Sequence, residues 1–330
     1  MKLVQRLYFM NKLFLLFGNK YRNTQLNSCL RFFKNKNFFI ISVSSKIIFY
    51  LINFFFKKKI IYIFLDGNEL NKKFNFNYNL WFNTQNELPK DRLKNSRDLF
   101  LCRDLKNENI VMPLTPIFNH KRDYTISLNK NTKIVYISEV DINVNEVVKN
   151  FWNKNKENIL NDLKLINDQD YIKEVFFEGN EDGYNNYMKL KNLLRFELIN
   201  TVHRFFKNNL LLVGKDWIKL GYSSKKVEYN TSFRKKIYKN NICLDFGSKS
   251  GTNSLYPRSV EILENNGFLL QAEQNDTSIL NNSMINNFDN FKSKNELLKK
   301  IDKLLTSNIK IKINNYDILE KKFVDFLTKI

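Results

Sequence analysis

The stretch from Ile242 to Gln271, ICLDFGSKSGTNSLYPRSVEILENNGFLLQ, decides the fold class of this chain. An apolar strand, Ile242 to Phe246, gives way to a loop of Gly, Ser, Thr and Asn. A helix opens near Pro257, and a second apolar strand begins after Gly267. Strand, loop, helix, strand is half of a doubly wound α/β unit, in which a ligand sits in the crevice at the carboxyl end of the strand. The loop is small and polar, and the helix N-terminus behind it offers free backbone N–H groups to an anion. Glu261 lies one turn into the helix, with Arg258 three residues earlier on the same face. A carboxylate suited to a ribose diol and a cation suited to a diphosphate are the parts of a nucleotide-sugar site. The spacing equally fits an ordinary crossover loop with a solvated surface pair on its helix, and the residues alone leave both readings open.

In Arg258, Glu261, Ile262, Gly267, Leu269 and Leu270 the segment resembles the donor-binding half of group-1 glycosyltransferases of the GT-B fold, in particular the spore-maturation (CgeB-like) type. Upstream, VFFEGN (Val175 to Asn180) resembles the first C-domain strand and glycine turn of that family, and KNLLRFELINTVHRF the helix after it. LLLVGKDW (Leu210 to Trp217) resembles its strand ending in Gly-x-x-Trp, and KKIYKNNICLDF its short helix and next strand. The likeness runs from about Val175 to Leu305 and fades through the N-terminal third. It implies an α/β protein of GT-B type, two Rossmann-like domains facing a central cleft. It implies transfer of a sugar from a nucleotide-diphosphate donor to a hydroxyl acceptor, in glycan or cell-surface polysaccharide synthesis, with no cofactor and no metal. Glu261 inherits the ribose by position. Arg258, Ser254, Gly214, Lys215, Gly179 and Asn180 are the other donor-site candidates, and Lys225 to Tyr229 falls where relatives hold the base. A non-catalytic binding protein on the same scaffold is the alternative.

The chain has 330 residues, 43% of them hydrophobic and 15% aromatic, enough for one large or two ordinary domains with substantial cores. Three cysteines (Cys29, Cys102, Cys243) and two histidines (His120, His203) are too few and too scattered for a disulfide framework or a zinc site. A cytoplasmic location is the resulting expectation. Abundant Lys, Asn, Ile and Phe match A+T-rich codon usage, which explains part of the net charge of +21. It does not explain the distribution: residues 1–65 hold twelve Lys or Arg and no acid before Asp66. A basic, Phe-rich surface suits anionic lipid or another polyanion, with a solvated basic face as the plainer alternative; the lipid reading predicts peripheral association at the inner membrane face, where the resemblance implies a glycan or lipid-linked acceptor. Neither an RNP motif nor a helix-turn-helix pattern is present, so nucleic acid is not an expected partner.

Phe38 to Phe56 is the one candidate membrane span. Its central Lys46 costs roughly 2.5–3.5 kcal/mol on insertion, while each Phe, Ile or Leu returns only about 0.3–0.6. The segment reads better as a strand (FFIISV), a cap at Ser44 and Ser45, and a helix from Lys46 to Lys57, followed by the strand IIYIFLDG. Lys46, Tyr50, Asn53 and Lys57 then form one polar helical stripe. NKLFLLFG is too short an apolar run for a signal peptide and lacks a small-residue cleavage site, although an acid-free basic start also resembles a transit peptide. LWFNT, DLFLC and NIVMPL read as short strands, and the polar run Phe118 to Lys130 as a linker. KIVYIS (Lys133 to Ser138) opens the second domain; Asn145 to Ile166 and Tyr187 to Phe206 read as helices. The domains expected are 1–125 for the acceptor, 126–312 for the donor, and a C-terminal helix over 313–330.

Asp66 ends a strand of the acceptor half and is one candidate general base, though a lone Asp there more often forms a turn. His120, near the linker, is the other. Asp168 and Asp170 form a D-x-D pair, but it ends a polar helical stretch rather than an apolar strand, which argues against a metal–diphosphate motif. GSKSG (Gly247 to Gly251) lacks the spacing of a P-loop, so no NTPase is implied.

Overall fold

The computed structural model describes residues 13–17, 40–43, 46–56, 60–65, 78–82, 98–101 and 110–112, then 124–176, 181–226, 231–247, 257–274 and 286–313. The chain divides into two compact units, residues 1–121 with 316–330 and residues 122–315. Of the expected site residues, Asp66, His120, Gly179, Asn180 and Ser254 lie outside the described residues, as does the expected C-terminal helix.

The first unit holds a parallel sheet of β1 (Leu13–Phe17), β2 (Ile40–Val43), β3 (Ile60–Leu65), β4 (Tyr78–Phe82), β5 (Asp98–Leu101) and β6 (Ile110–Met112), in the order β2-β1-β3-β4-β5-β6. The apolar run NKLFLLFG thus supplies the strand between β2 and β3. Helix α1 (Lys46–Phe56) links β2 to β3. Phe38 to Phe56 is accordingly divided between a strand and a helix. Among the described residues no helix is long and apolar enough to cross a membrane.

The second unit contains β8 (Ile134–Ile137), β9 (Leu210–Val213), β10 (Ser224–Lys225), β11 (Ile242–Asp245), β12 (Phe268–Ala272) and β13 (Phe288–Phe291), all parallel. Their order is β10-β9-β8-β11-β12-β13. Counted within this sheet, that is 3-2-1-4-5-6, the order of dinucleotide-binding doubly wound sheets. A parallel sheet covered on both faces needs continuous apolar strands rather than alternating ones. IVYI, ICLD and FLLQA meet that requirement, with every β11 and β12 residue buried.

The helices follow local signals. Asn145 caps α2 (Glu146–Asn161) by accepting from the Val148 N–H at 3.0 Å, and Val148, Phe151, Trp152, Ile159 and Leu160 form its buried stripe. A 3₁₀ turn (Leu163–Asn167) ends this stretch. Helix α3 (Glu181–Phe206) buries Leu190, Leu194, Leu198 and Val202 as the spacing predicts. Short α4 (Asp216–Lys219) and α5 (Thr231–Tyr238) precede β10 and β11. Helix α6 (Pro257–Glu264) starts on proline and ends in a Schellman turn. Asn266 sits there at φ 59°, Asn266 N–H donates to Leu263 O at 3.3 Å, and Gly267 N–H donates to Ile262 O at 3.0 Å. Ser293 and Glu296 form a capping pair at the start of α7 (Lys294–Thr306).

Two expectations are corrected. Val175 and Phe176 of VFFEGN do not open a strand: they lie in and after a turn, both donating to Ile172 O at 2.9 Å, while residues 177–180 lie outside the described residues and β8 is the first strand of the six-stranded sheet. The run 118–130 is not all linker either. Strand β7 (Thr125–Ser127) pairs antiparallel with β14 (Lys310–Lys312), and Ile126 and Leu128 are buried. Its polar neighbours masked two core residues. The pair holds the two ends of the unit side by side, with Ile313 N–H donating to Tyr124 O at 2.9 Å.

Candidate functional site

In the second sheet, β8 and β11 are neighbours, yet the chain leaves β8 toward β9 and leaves β11 toward β12. Such a reversal opens a crevice outside the carboxyl ends of the two strands. Gly247 stands just past β11 at φ 81°, and a Cβ there would meet the Gln274 side chain at 2.9 Å. Arg195, from the middle of α3, reaches this edge and donates from Nη2 to Gly247 O at 2.6 Å. The arginine is 2% exposed, and its buried Nη1 finds no hydrogen-bond partner among the described residues. Lys191, one turn earlier on α3, is buried as well, with Nζ 4.7 Å from the centre of the Tyr187 ring. Burial, and then the charge of Arg195, hold the Lys191 ammonium well below the usual lysine range. Two buried bases one helical turn apart raise each other's cost.

The cost is measurable. From the folded pKa of Lys191 up to its ordinary value of 10.5, the unfolded chain binds more protons than the folded one. Stability therefore rises with pH across that window, and the full cost is felt below it. Lys191→Met should raise the melting temperature at pH 7 by about 2–6 °C, for a gain of about 1–2 kcal/mol, with the gap closing toward pH 10. A melting temperature lower than wild type at pH 7 would show that the ammonium is a net stabiliser in the free protein.

Beside the cations, Asp245 at the end of β11 is fully buried. It accepts from Ser259 Oγ at 2.7 Å, Gln271 Nε2 at 2.9 Å and Gly247 N–H at 3.1 Å. The carboxylate thereby ties the β11 edge to α6 and β12. Tyr136 of β8 lies in the same field, which includes Arg195, Arg258 and Asp245; burial pushes its hydroxyl pKa up. A polar chain leads outward from here. Asn167 Nδ2 donates to Gln274 Oε1 at 3.3 Å, and Tyr187 Oη donates to Asn167 Oδ1 at 3.0 Å. Asn167 also lines a cleft of about 350 Å³, with Asp162, Lys164, Leu165 and Asp168. That volume falls in the small-ligand range.

The predicted site residues divide among several places. Arg258 is half-buried on α6, in range of Tyr136. Glu261 forms an ion pair with Arg234 of α5, both side chains mostly buried. Gly214 serves packing: at φ 145°, a Cβ would lie 2.4 Å from Ser138 O. That carbonyl accepts from Trp217 Nε1 at 2.8 Å, which gives Gly-x-x-Trp its structural reason. Lys215 is exposed, and the helix start beside it is already faced by a carboxylate, since Glu139 accepts from Lys215 N–H at 3.4 Å and Asp216 N–H at 3.2 Å. Asp168 and Asp170 are exposed; Asp168 Oδ1 caps its own turn through the N–H groups of Asp170 and Tyr171 at 3.0 and 3.2 Å. No three His, Cys, Asp or Glu side chains among the described residues converge as metal ligands.

Sequence reasoning missed Lys191, Arg195 and Asp245. The signals were present: two bases, i and i+4, one position off the Leu190–Leu194–Leu198 stripe, and an acid closing the apolar run ICLDF.

The chain matches no protein-family model, no curated protein and no solved structure. Fold and site define a parallel α/β protein whose second unit has the strand order of dinucleotide-binding sheets, with buried cations at its switch point.

Proposed function

We propose that the chain is a glycosyltransferase of GT-B, CgeB-like type, taking a nucleotide-diphosphate sugar in its second unit and a hydroxyl acceptor in its first. The observation that carries this reading is the buried Arg195, its Nη1 without a hydrogen-bond partner among the described residues, at the switch point of a 3-2-1-4-5-6 sheet. Diphosphate oxygens are acceptors of the right charge for it, and Lys191 and Arg258 add positive field. In the reaction the acceptor oxygen attacks the anomeric carbon and the bond from that carbon to the diphosphate breaks. The diphosphate leaves with the electron pair, stabilised by these cations without a metal, and the acceptor proton passes to a general base. Glu261, by resemblance, holds the ribose.

A second reading, a non-catalytic binding protein on the same scaffold, is favoured by one observation: Glu261 is already engaged by Arg234. Ribose binding would require that pair to open or to share the carboxylate.

A panel of UDP- and GDP-sugars at about 100 Kd should stabilise the protein by about 2.7 kcal/mol, read as a rise in melting temperature. Donor turnover should survive EDTA. Glu261→Ala should fold and lose roughly tenfold to hundredfold in donor affinity, as expected for a charged hydrogen bond of about 1.5–3 kcal/mol. No shift from any sugar nucleotide sinks the donor reading. A shift without hydrolysis or transfer selects the binding protein, and activity that EDTA abolishes and Mn²⁺ restores rules out the metal-free mechanism.

A further inference from the structure

Helix α1 presents an apolar face to solvent. Ile47, Ile48, Leu51, Phe54 and Phe55 are each between 52% and 81% exposed, and the Phe54 and Phe55 rings meet edge to face at 5.3 Å. At 3.6 residues per turn the five span an arc of about 120°, one continuous stripe. A contiguous patch of this kind marks an interaction surface rather than ordinary exterior.

We propose that this face of α1 docks on an anionic phospholipid bilayer, lying in the interface without crossing it. Charge complementarity selects the occupant. The helix begins at Lys46 and is followed directly by Lys57, Lys58 and Lys59, and residues 1–65 contain twelve bases and no acid. Phe, Ile and Leu on the exposed face can enter the headgroup boundary while the flanking bases meet anionic headgroups. Its 11 residues reach about 16 Å at 1.5 Å each, half of a hydrocarbon core of about 30 Å, so it is too short to span. The proposal extends the peripheral association expected from charge by assigning it to a named surface, and it stands apart from the donor reading.

The test uses the full chain with phosphatidylglycerol vesicles against neutral phosphatidylcholine vesicles, at low and high salt. Wild type should sediment with the anionic vesicles alone and be released by salt. The double variant Phe54→Glu, Phe55→Glu should lose at least about tenfold in vesicle partitioning, with its melting temperature and its response to sugar nucleotides unchanged. Should that variant not fold, Phe54→Trp decides: it should add an emission, relative to wild type, that brominated lipid quenches. Unaltered partitioning of the folded double variant overturns the proposal, as does an added emission that brominated lipid leaves intact. Resistance to high salt and carbonate overturns it in favour of a span. A wild-type dimer that ignores vesicles, and that the double variant splits, overturns it in favour of self-association.

Discussion

Arg195→Met should lower affinity for UDP roughly thirtyfold to several-thousandfold, while the free protein still folds. Losing one member of a buried charged contact costs about 2–5 kcal/mol. In the ligand-free protein much less is lost, because among the described residues Nη1 has no hydrogen-bond partner and Nη2 bonds to Gly247 O. That loss is offset by relief of the repulsion with Lys191, whose ammonium Arg195 helps to hold low. A residue whose removal hurts the complex far more than the fold is one kept for its ligand. Calorimetry with UDP and with inorganic pyrophosphate on wild type, Arg195→Met and Arg195→Lys would separate the cases, lysine retaining the charge without the fork. Equal UDP affinity in wild type and the methionine variant would remove Arg195 from the site.

Gly214→Ala should be the most damaging single change to stability among the residues named, costing about 3 kcal/mol or more, which lowers the melting temperature by about 6–12 °C. Two costs combine. The backbone at φ 145° is one that L side chains rarely adopt, and the new Cβ would stand 2.4 Å from a backbone oxygen, with no flexible side chain to move aside. That oxygen, on Ser138, is the acceptor for Trp217, one of the largest fully buried side chains, so a shift propagates into the packing of β8 and β9. Urea denaturation measures the cost directly. A variant within about 0.5 kcal/mol of wild type, the usual range for surface changes, would mean that the turn relaxes and that the glycine is kept for a ligand.

Strands, helices and their ends were legible where the signal is local. Within the stretch 242–271, β11, α6 and β12 form where they read, because an uninterrupted apolar run, a proline start and an Asn-Gly stop each act within a few residues. The split of 38–56 into strand and helix was legible for the same reason: Ser44 and Ser45 break the apolar run ahead of Lys46. VFFEGN and the run 118–130 were misread because composition says nothing of the neighbour. Val175 closes a turn on Ile172, whereas Ile126 meets Ile311, far along the chain.

By itself the sequence determined two α/β halves, the apolar strands of the second, and the basic, acid-free start of the first. Only the tertiary structure decided the strand order β10-β9-β8-β11-β12-β13, the meeting of Arg195 with Gly247 across 52 residues, the engagement of Glu261 by Arg234, and the outward turn of the apolar face of α1. Periodicity and capping are set by bonds and contacts within one or two turns of chain. Which strand lies beside which, and which charge ends up buried, depends on partners brought together only when a parallel sheet has closed its long crossovers.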